Sequence, residues 1–217
     1  MKNIEILYED DYIIVVNKPA GLAVQGGKGV KTSLDTLLAA LRDPAPLLVH
    51  RLDKDTSGAL MAAKGRENAG YFSSLLNSPK ITKQYTAVCL GHLKNEQGVI
   101  TDKLLIHGNL KNSQTRYKTL KTSVFTEENL EYSVLELELG TGRMHQIRRH
   151  LAMNGSPILG DDKYGEFKLN KKLHKTIGLK HLLLHASRLI IKDKINIDIK
   201  APLPEYFHAF MSNDDGN

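Results

Sequence analysis

The sequence predicts an α+β protein built on a mixed, mainly antiparallel sheet with flanking helices. Segments rich in β-branched and aromatic residues outnumber segments with helical periodicity. The two kinds are not regularly interleaved, which favours this class over a doubly wound parallel sheet. Over 217 residues, 41% are apolar and 25% charged, proportions that bury a core and exclude a disordered or fibrous chain. The length suits one large domain or two small ones.

The elements follow in order. Ile4, Ile6 and the run Tyr12 to Val16 read as strand, stopped by Asn17-Lys18-Pro19-Ala20-Gly21. Gly26 to Gly29 is a loop and lacks the pattern of a nucleotide-binding P-loop. Thr32 or Ser33 caps a helix whose Leu34, Leu37, Leu38 and Leu41 recur at i, i+3, i+4, i+7, and Pro44 and Pro46 end it. Two short apolar strands, Leu47 to Val49 and Gly58 to Ala63, flank the charged turn His50 to Ser57. Ala69, Phe72, Ser73 and Leu76 mark a second helix. Tyr85 to Leu90 is a strand with Tyr85, Ala87 and Cys89 on one face. Residues 92–129 are polar and weakly periodic, and are expected to form an excursion or flexible hairpin. Tyr132 to Leu139 returns to strand, Thr141 to Asn154 reads as a helix closed by Gly155, and Ile195, Ile197 and Ile199 alternate with polar residues.

Composition narrows the function. The net charge is +6, which suits a polyanion partner, although charge alone says nothing of fold or specificity. The single cysteine, Cys89, excludes an internal disulfide and a Cys-cluster zinc site. No apolar run approaches the length of a membrane span, and the acidic start, with Glu5, Glu9, Asp10 and Asp11, is unlike a secretory or transit peptide. The expectation is a cytoplasmic protein without membrane contact.

Two segments carry chemistry. In His50 to Gly58, Asp53 and Asp55 sit in a tight turn flanked by Arg51 and Lys54. Loops held by strands are where reactive groups concentrate, yet Asp, Ser, Thr and Gly are also ordinary turn formers. In Thr141 to His150, a helix puts Met144, Ile147, Arg148 and Leu151 on one face. Arg148 then points inward and Arg149 outward. A buried guanidinium cannot lose its proton and needs a carboxylate from elsewhere in the chain, for which Asp53 is a natural candidate. The alternative is an arginine whose stem packs while its head reaches water.

Other chemistries are poorly supported. His145 and His150 stand roughly 140° apart on a helix and do not chelate together. His181 and His185 have a chelating spacing, but on a strand they lie about 13 Å apart. No metal site is expected. Ser57 lacks a nucleophile elbow, and Cys89 sits in apolar company.

The turn His50-Arg51-Leu52-Asp53-Lys54-Asp55-Thr56-Ser57-Gly58 resembles the signature of the RluA-type pseudouridine synthases. Further blocks match in order: Asn17 to Gly21, Lys83-Gln84-Tyr85, Gly142-Arg143-Met144-His145-Gln146-Ile147-Arg148, Gly160 to Gly165, and Leu184-His185-Ala186. Met144 departs from the family, which usually has Thr or another small residue there. The RNA-binding S4-like domain that often precedes the catalytic domain is not legible in this chain.

The resemblance implies one catalytic domain over 1–211 with a central active-site cleft; the last residues, 212–217, read as a frayed tail from their composition. It implies isomerisation of uridine to pseudouridine in structured RNA without a cofactor. Asp53 would be the catalytic carboxylate, Tyr85 would stack on the uracil and serve proton removal at C5, and Arg148 would pair with Asp53. Arg51 would sit near the space left by a flipped nucleotide, and Lys18, His50, Arg143, His145 and Gln146 would also contact RNA. Ala23 to Gly27 is similar to members acting on large-subunit ribosomal RNA, with transfer RNA the rival substrate. A catalytically inactive RNA-binding or folding module is the non-enzymatic alternative. A hydrolase using Asp53 and Asp55 is disfavoured, because two groups so close in one turn poorly straddle a glycosidic bond. A monomer is expected.

Overall fold

The computed structural model describes residues 4–125 and 128–211. The expected frayed tail lies outside the described residues. The chain divides into two compact units, Met1–Gln84 with His185–Pro202, and Tyr85–Leu184 with Leu203–Asn217.

In the first unit, β1 (Glu5–Glu9) pairs antiparallel with β2 (Ile13–Lys18), and β2 with β4 (Ser57–Ala63). The two-residue β3 (Leu47–Leu48) adds to one end of β4. The start of β11 (Leu184–Lys192) runs parallel to β4, with His185 opposite Ser57, and β12 (Asn196–Lys200) pairs antiparallel with β11. Every residue of β4 is buried, so it reads as a continuous small-residue run rather than an alternating one. Ile13, Val15, Met61, Phe72, Leu189, Ile191 and Ile199 form the core. Helix α1 (Leu34–Leu41) starts after Ser33 and buries Leu34 and Leu38, in line with the leucine spacing. Helix α2 (Gly65–Leu75) buries Phe72.

In the second unit, β5 (Ile81–Leu90, of which the first four residues belong to the first unit) lies beside β10 (Leu130–Leu139). The expected excursion at 92–129 is largely strand. Within it are β6 (Gln97–Ile100), the small hairpin β7 (Leu104–Ile106) and β8 (Asn109–Lys111), and the eleven-residue β9 (Thr115–Phe125), which pairs antiparallel with β10. The period was hard to read because one face of β9 is exposed and the other only partly covered, so Thr and Lys fill places a core strand would give to Val and Ile. The predicted face of Tyr85, Ala87 and Cys89 is buried, but so are Thr86 and Val88, because both sides of β5 are covered.

Helix α3 (Gln146–Met153) begins five residues later than the periodicity indicated. Thr141 to His145 form a turn, Met144 is 58% exposed rather than on the apolar face, and His145 is left-handed at φ 51°. Helix α4 (Phe167–Thr176) follows, and a short turn with helix α5 (His208–Met211) closes the described chain.

Candidate active site

In the first unit, the turn bearing Asp53 is held from both ends. Lys18 is fully buried at the end of β2, and its Nζ donates to the carbonyls of Lys54 (2.8 Å), Leu22 (2.8 Å) and Pro19 (3.0 Å). The Gly21 amide donates to the same Lys54 carbonyl at 3.0 Å. An ammonium has three N–H groups, and all three are spent on backbone. Burial pushes Lys18 down to about 8, against the pull of the Asp55 and Asp53 charges. The expectation that Lys18 contacts RNA is therefore corrected: it pins the turn from beneath.

At the other end, Ser57 Oγ meets His185 Nδ1 at 2.9 Å, and His185 Nε2 faces the Ala201 carbonyl at 3.3 Å. A carbonyl only accepts, so Nε2 carries the proton and Nδ1 accepts from Ser57. Burial lowers His185 to about 4. Gly58 follows at φ 110°, where an added Cβ would meet the Ala186 carbonyl oxygen at 2.3 Å. Only glycine permits this approach of the two strands. His50 Nε2 accepts from the Met61 amide at 2.9 Å, and burial, aided by the Lys83 charge, lowers it to about 3. Between these fixed points Asp53 is half-buried and Arg51 exposed.

In the second unit, Tyr85 is buried at the head of its part of β5. Arg148 is buried on the inner face of α3, as its helical phase predicted, while Arg149 is only half-buried. The carboxylate that takes its Nε and Nη2 is Asp161, at 2.7 and 2.8 Å, a partner the sequence reading did not name. Asp162 lies 3.4 Å from Nη2. Burial would raise Asp161, but the Arg148 fork and the amides of Tyr164 and Lys163 together hold it below the usual carboxylate range. Its Gly160 to Gly165 block was legible as a motif, whereas its role depended on a contact thirteen residues away. The Tyr164 ring lies 5.3 Å from the Arg148 guanidinium, and its hydroxyl meets His145 Nδ1 at 3.1 Å.

Gln146 is also corrected as an RNA contact. It is buried, its Oε1 accepts from Thr141 Oγ1 (2.6 Å) and the Arg143 amide (3.1 Å), and its Nε2 donates to the Gln114 carbonyl (2.8 Å) and Thr115 Oγ1 (3.0 Å). It braces the turn that leaves Arg143 and Met144 exposed. Thr115 in turn faces His150 Nδ1 at 2.9 Å, and His150 Nε2 faces the Asp102 carbonyl at 3.0 Å.

Comparison with known proteins bears on these motifs together. The family model described as RNA pseudouridylate synthase matches residues 12–153, a span that includes Asp53, Tyr85 and Arg148. The chain belongs to that family.

The ribosomal large subunit pseudouridine synthase C of Vibrio vulnificus (strain CMCP6) is 35% identical over 222 residues, covering 96% of this chain and 68% of that one. Its counterpart in Rickettsia felis (strain URRWXCal2) is 38% identical over 221 residues, covering 93% and 68%. This pseudouridine synthase thus spans about two thirds of the length of such relatives. Among solved structures, human RNA pseudouridylate synthase domain containing 1 is similar at a TM-score of 0.77 with 27% identity, covering 94% of this chain and 84% of that one. Human RNA pseudouridylate synthase domain containing 4 gives 0.78 and 26%, covering 94% and 90%. Among the described residues no helix is long and apolar enough to cross a membrane, and no group of three or more His, Cys, Asp and Glu could hold a metal.

Proposed function

We propose that this synthase acts on large-subunit ribosomal RNA, with Asp53 as the catalytic carboxylate and both units contributing to one catalytic domain over 1–211. The observation that carries the residue assignment is the pinned turn. A half-buried aspartate stands between a triply bonded Lys18 and the Ser57–His185 pair, far more scaffolding than a solvated turn needs. The substrate rests on the relatives, which carry the name of ribosomal large subunit synthases.

The target uridine must leave its stack before its sugar is reached, and Arg51, exposed beside the turn, braces the vacated space. Ionised Asp53 then either attacks C1′ or takes the 2′ proton, and the C1′–N1 bond breaks with its electron pair leaving on uracil. The uracil turns and the C1′–C5 bond forms as the Asp53–C1′ bond breaks or, on the second route, as Asp53 returns the 2′ proton; the proton on C5 is then lost with help from Tyr85, and N1 ends protonated. Atoms balance without a cofactor. Arg148, held by its fork on Asp161, is the third residue assigned to the reaction. Arg143 and His145 complete the RNA contacts. The protein works as a cytoplasmic monomer.

The test is tritium release from large-subunit ribosomal RNA labelled at uridine C5, with transfer RNA as the second arm. Release from the ribosomal RNA, unaffected by EDTA once RNA folding is controlled, is expected. Asp53→Asn should fold, bind RNA and release no tritium. Wild-type release by that variant would remove Asp53 from the mechanism, and release from transfer RNA alone would replace the substrate.

A further inference from the structure

Charge is unevenly distributed along the chain. Residues 163–180 hold six lysines against one glutamate, Glu166, a net +5 where the whole chain carries +6. Four of these lysines fall on α4. Lys168, Lys171, Lys172 and Lys175 recur at i, i+3, i+4 and i+7, and all four are exposed. The other side of the helix carries buried Leu173 and half-buried Leu169 and Asn170.

Helix stability does not account for this stripe. Like charges three and four residues apart repel. Lys168 stands in the first turn, at the positive end of the helix dipole, where a cation is disfavoured. Of the stripe, Lys172 has an ion-pair partner in Glu128. Phe167, 73% exposed at the head of the helix, offers a ring on which a base can stack. A stripe of cations beside an exposed aromatic suits a phosphate backbone with unstacked bases.

The stripe is also registered to the site. Asn170 Nδ2 donates to the Asp161 carbonyl at 2.7 Å and its Oδ1 accepts from the Gly160 amide at 3.0 Å. The Asp161 carboxylate holds Arg148. One side chain thus ties the helix to the turn that orients the arginine.

We propose that the lysine stripe of α4 is a docking surface for RNA phosphates, held at a set distance from Arg148 by the Asn170–Asp161 tie. This rests on the reading that the chain acts on RNA, and it assigns α4 to substrate capture, away from the reacting uridine.

The experiment compares K168Q/K171Q/K175Q, which spares the paired Lys172, with a charge-matched control, K31Q/K192Q/K200Q. Both are read on the ribosomal RNA transcript the wild type modifies. The stripe variant should raise KM about tenfold at physiological salt while kcat is kept. Its plot of log affinity against log salt should be shallower by about 0.7 per lysine lost. Arginine at the same three positions should restore both, and the control should behave as wild type. Equal effects of stripe and control variants would overturn the proposal. So would stripe-dependent binding to phosphatidylserine vesicles with RNA affinity unchanged. Affinity is also measured in an Asp53→Asn background, so a failure of the catalytic assignment is distinguishable from a failure of the stripe.

Discussion

Among the described residues, each unit buries one long basic side chain, Lys18 or Arg148, and the two solve the same problem differently. Lys18 in the first unit is met by three backbone carbonyls, while Arg148 in the second is met by a carboxylate. An ammonium is a compact charge whose three donors radiate outwards, so it suits carbonyls converging from several strands and turns. A guanidinium is a planar fork that matches a carboxylate edge with two parallel bonds. The electrostatic consequence follows. Burial outweighs the pull of the Asp55 and Asp53 charges and Lys18 falls to about 8, whereas Arg148 has a carboxylate in direct contact and that partner, Asp161, is held low. A dipole-held cation pins backbone. A charge-held cation fixes a side-chain geometry.

The sharpest way to break this contrast is to remove Arg148. Arg148→Ala leaves Asp161 buried without its fork, and breaking such a pair from one side costs about 3–5 kcal/mol, a fall in Tm of roughly 10 °C. Arg148→Lys should recover more stability than activity, because it restores charge and not the fork. The double variant Arg148→Met/Asp161→Leu should be more stable than either single one. Thermal melts with single-turnover rates decide it, and additive losses would show that the two do not form the pair described.

The next effect is on the acid limb. His185 is lowered to about 4, His50 to about 3, and His150 is lowered as well, each chiefly by burial. In the unfolded chain they titrate near 6.5. Below that value the unfolded state binds more protons, so the stability these groups supply is full above about pH 6.5. It is lost as pH falls towards 4, at up to about 1.4 kcal/mol per pH unit for each histidine. Urea melts between pH 7 and 4 should show the slope, and His185→Asn should flatten it. An unchanged slope would mean that His185 is protonated in the fold.

Lys18→Met should cost about 1–3 kcal/mol, less than Arg148→Ala, because it strands carbonyls rather than a charge. Its larger effect should be on kcat, since Asp53 rides on the released turn. A stability loss with kcat intact would restrict Lys18 to folding. The smallest effect belongs to Arg149→Ala. Among the described residues, half-buried Arg149 donates to the Leu105 carbonyl alone, at 3.2 Å, so its loss should stay under about 0.5 kcal/mol.

Local chemistry by itself determined much of this protein. The run of leucines set α1 and the small apolar run set β4, while the turn between strands was an ordinary turn by composition and pointed to Asp53 only through its resemblance to a family signature. Helical spacing also put Arg148 inside and Arg149 outside, because the 3.6-residue period is a property of the backbone. Tertiary structure decided what depends on residues distant in the chain. It chose Asp161 for the fork, turned Lys18 and Gln146 from expected RNA contacts into internal braces, and delayed α3 until Gln146 had bonded the turn before it. It also made strands of the polar stretch after residue 92, whose half-covered faces carry no clean alternation. Periodicity records which side of an element is buried. The partner of a buried charge is set by where the chain returns in space, and no local pattern carries that.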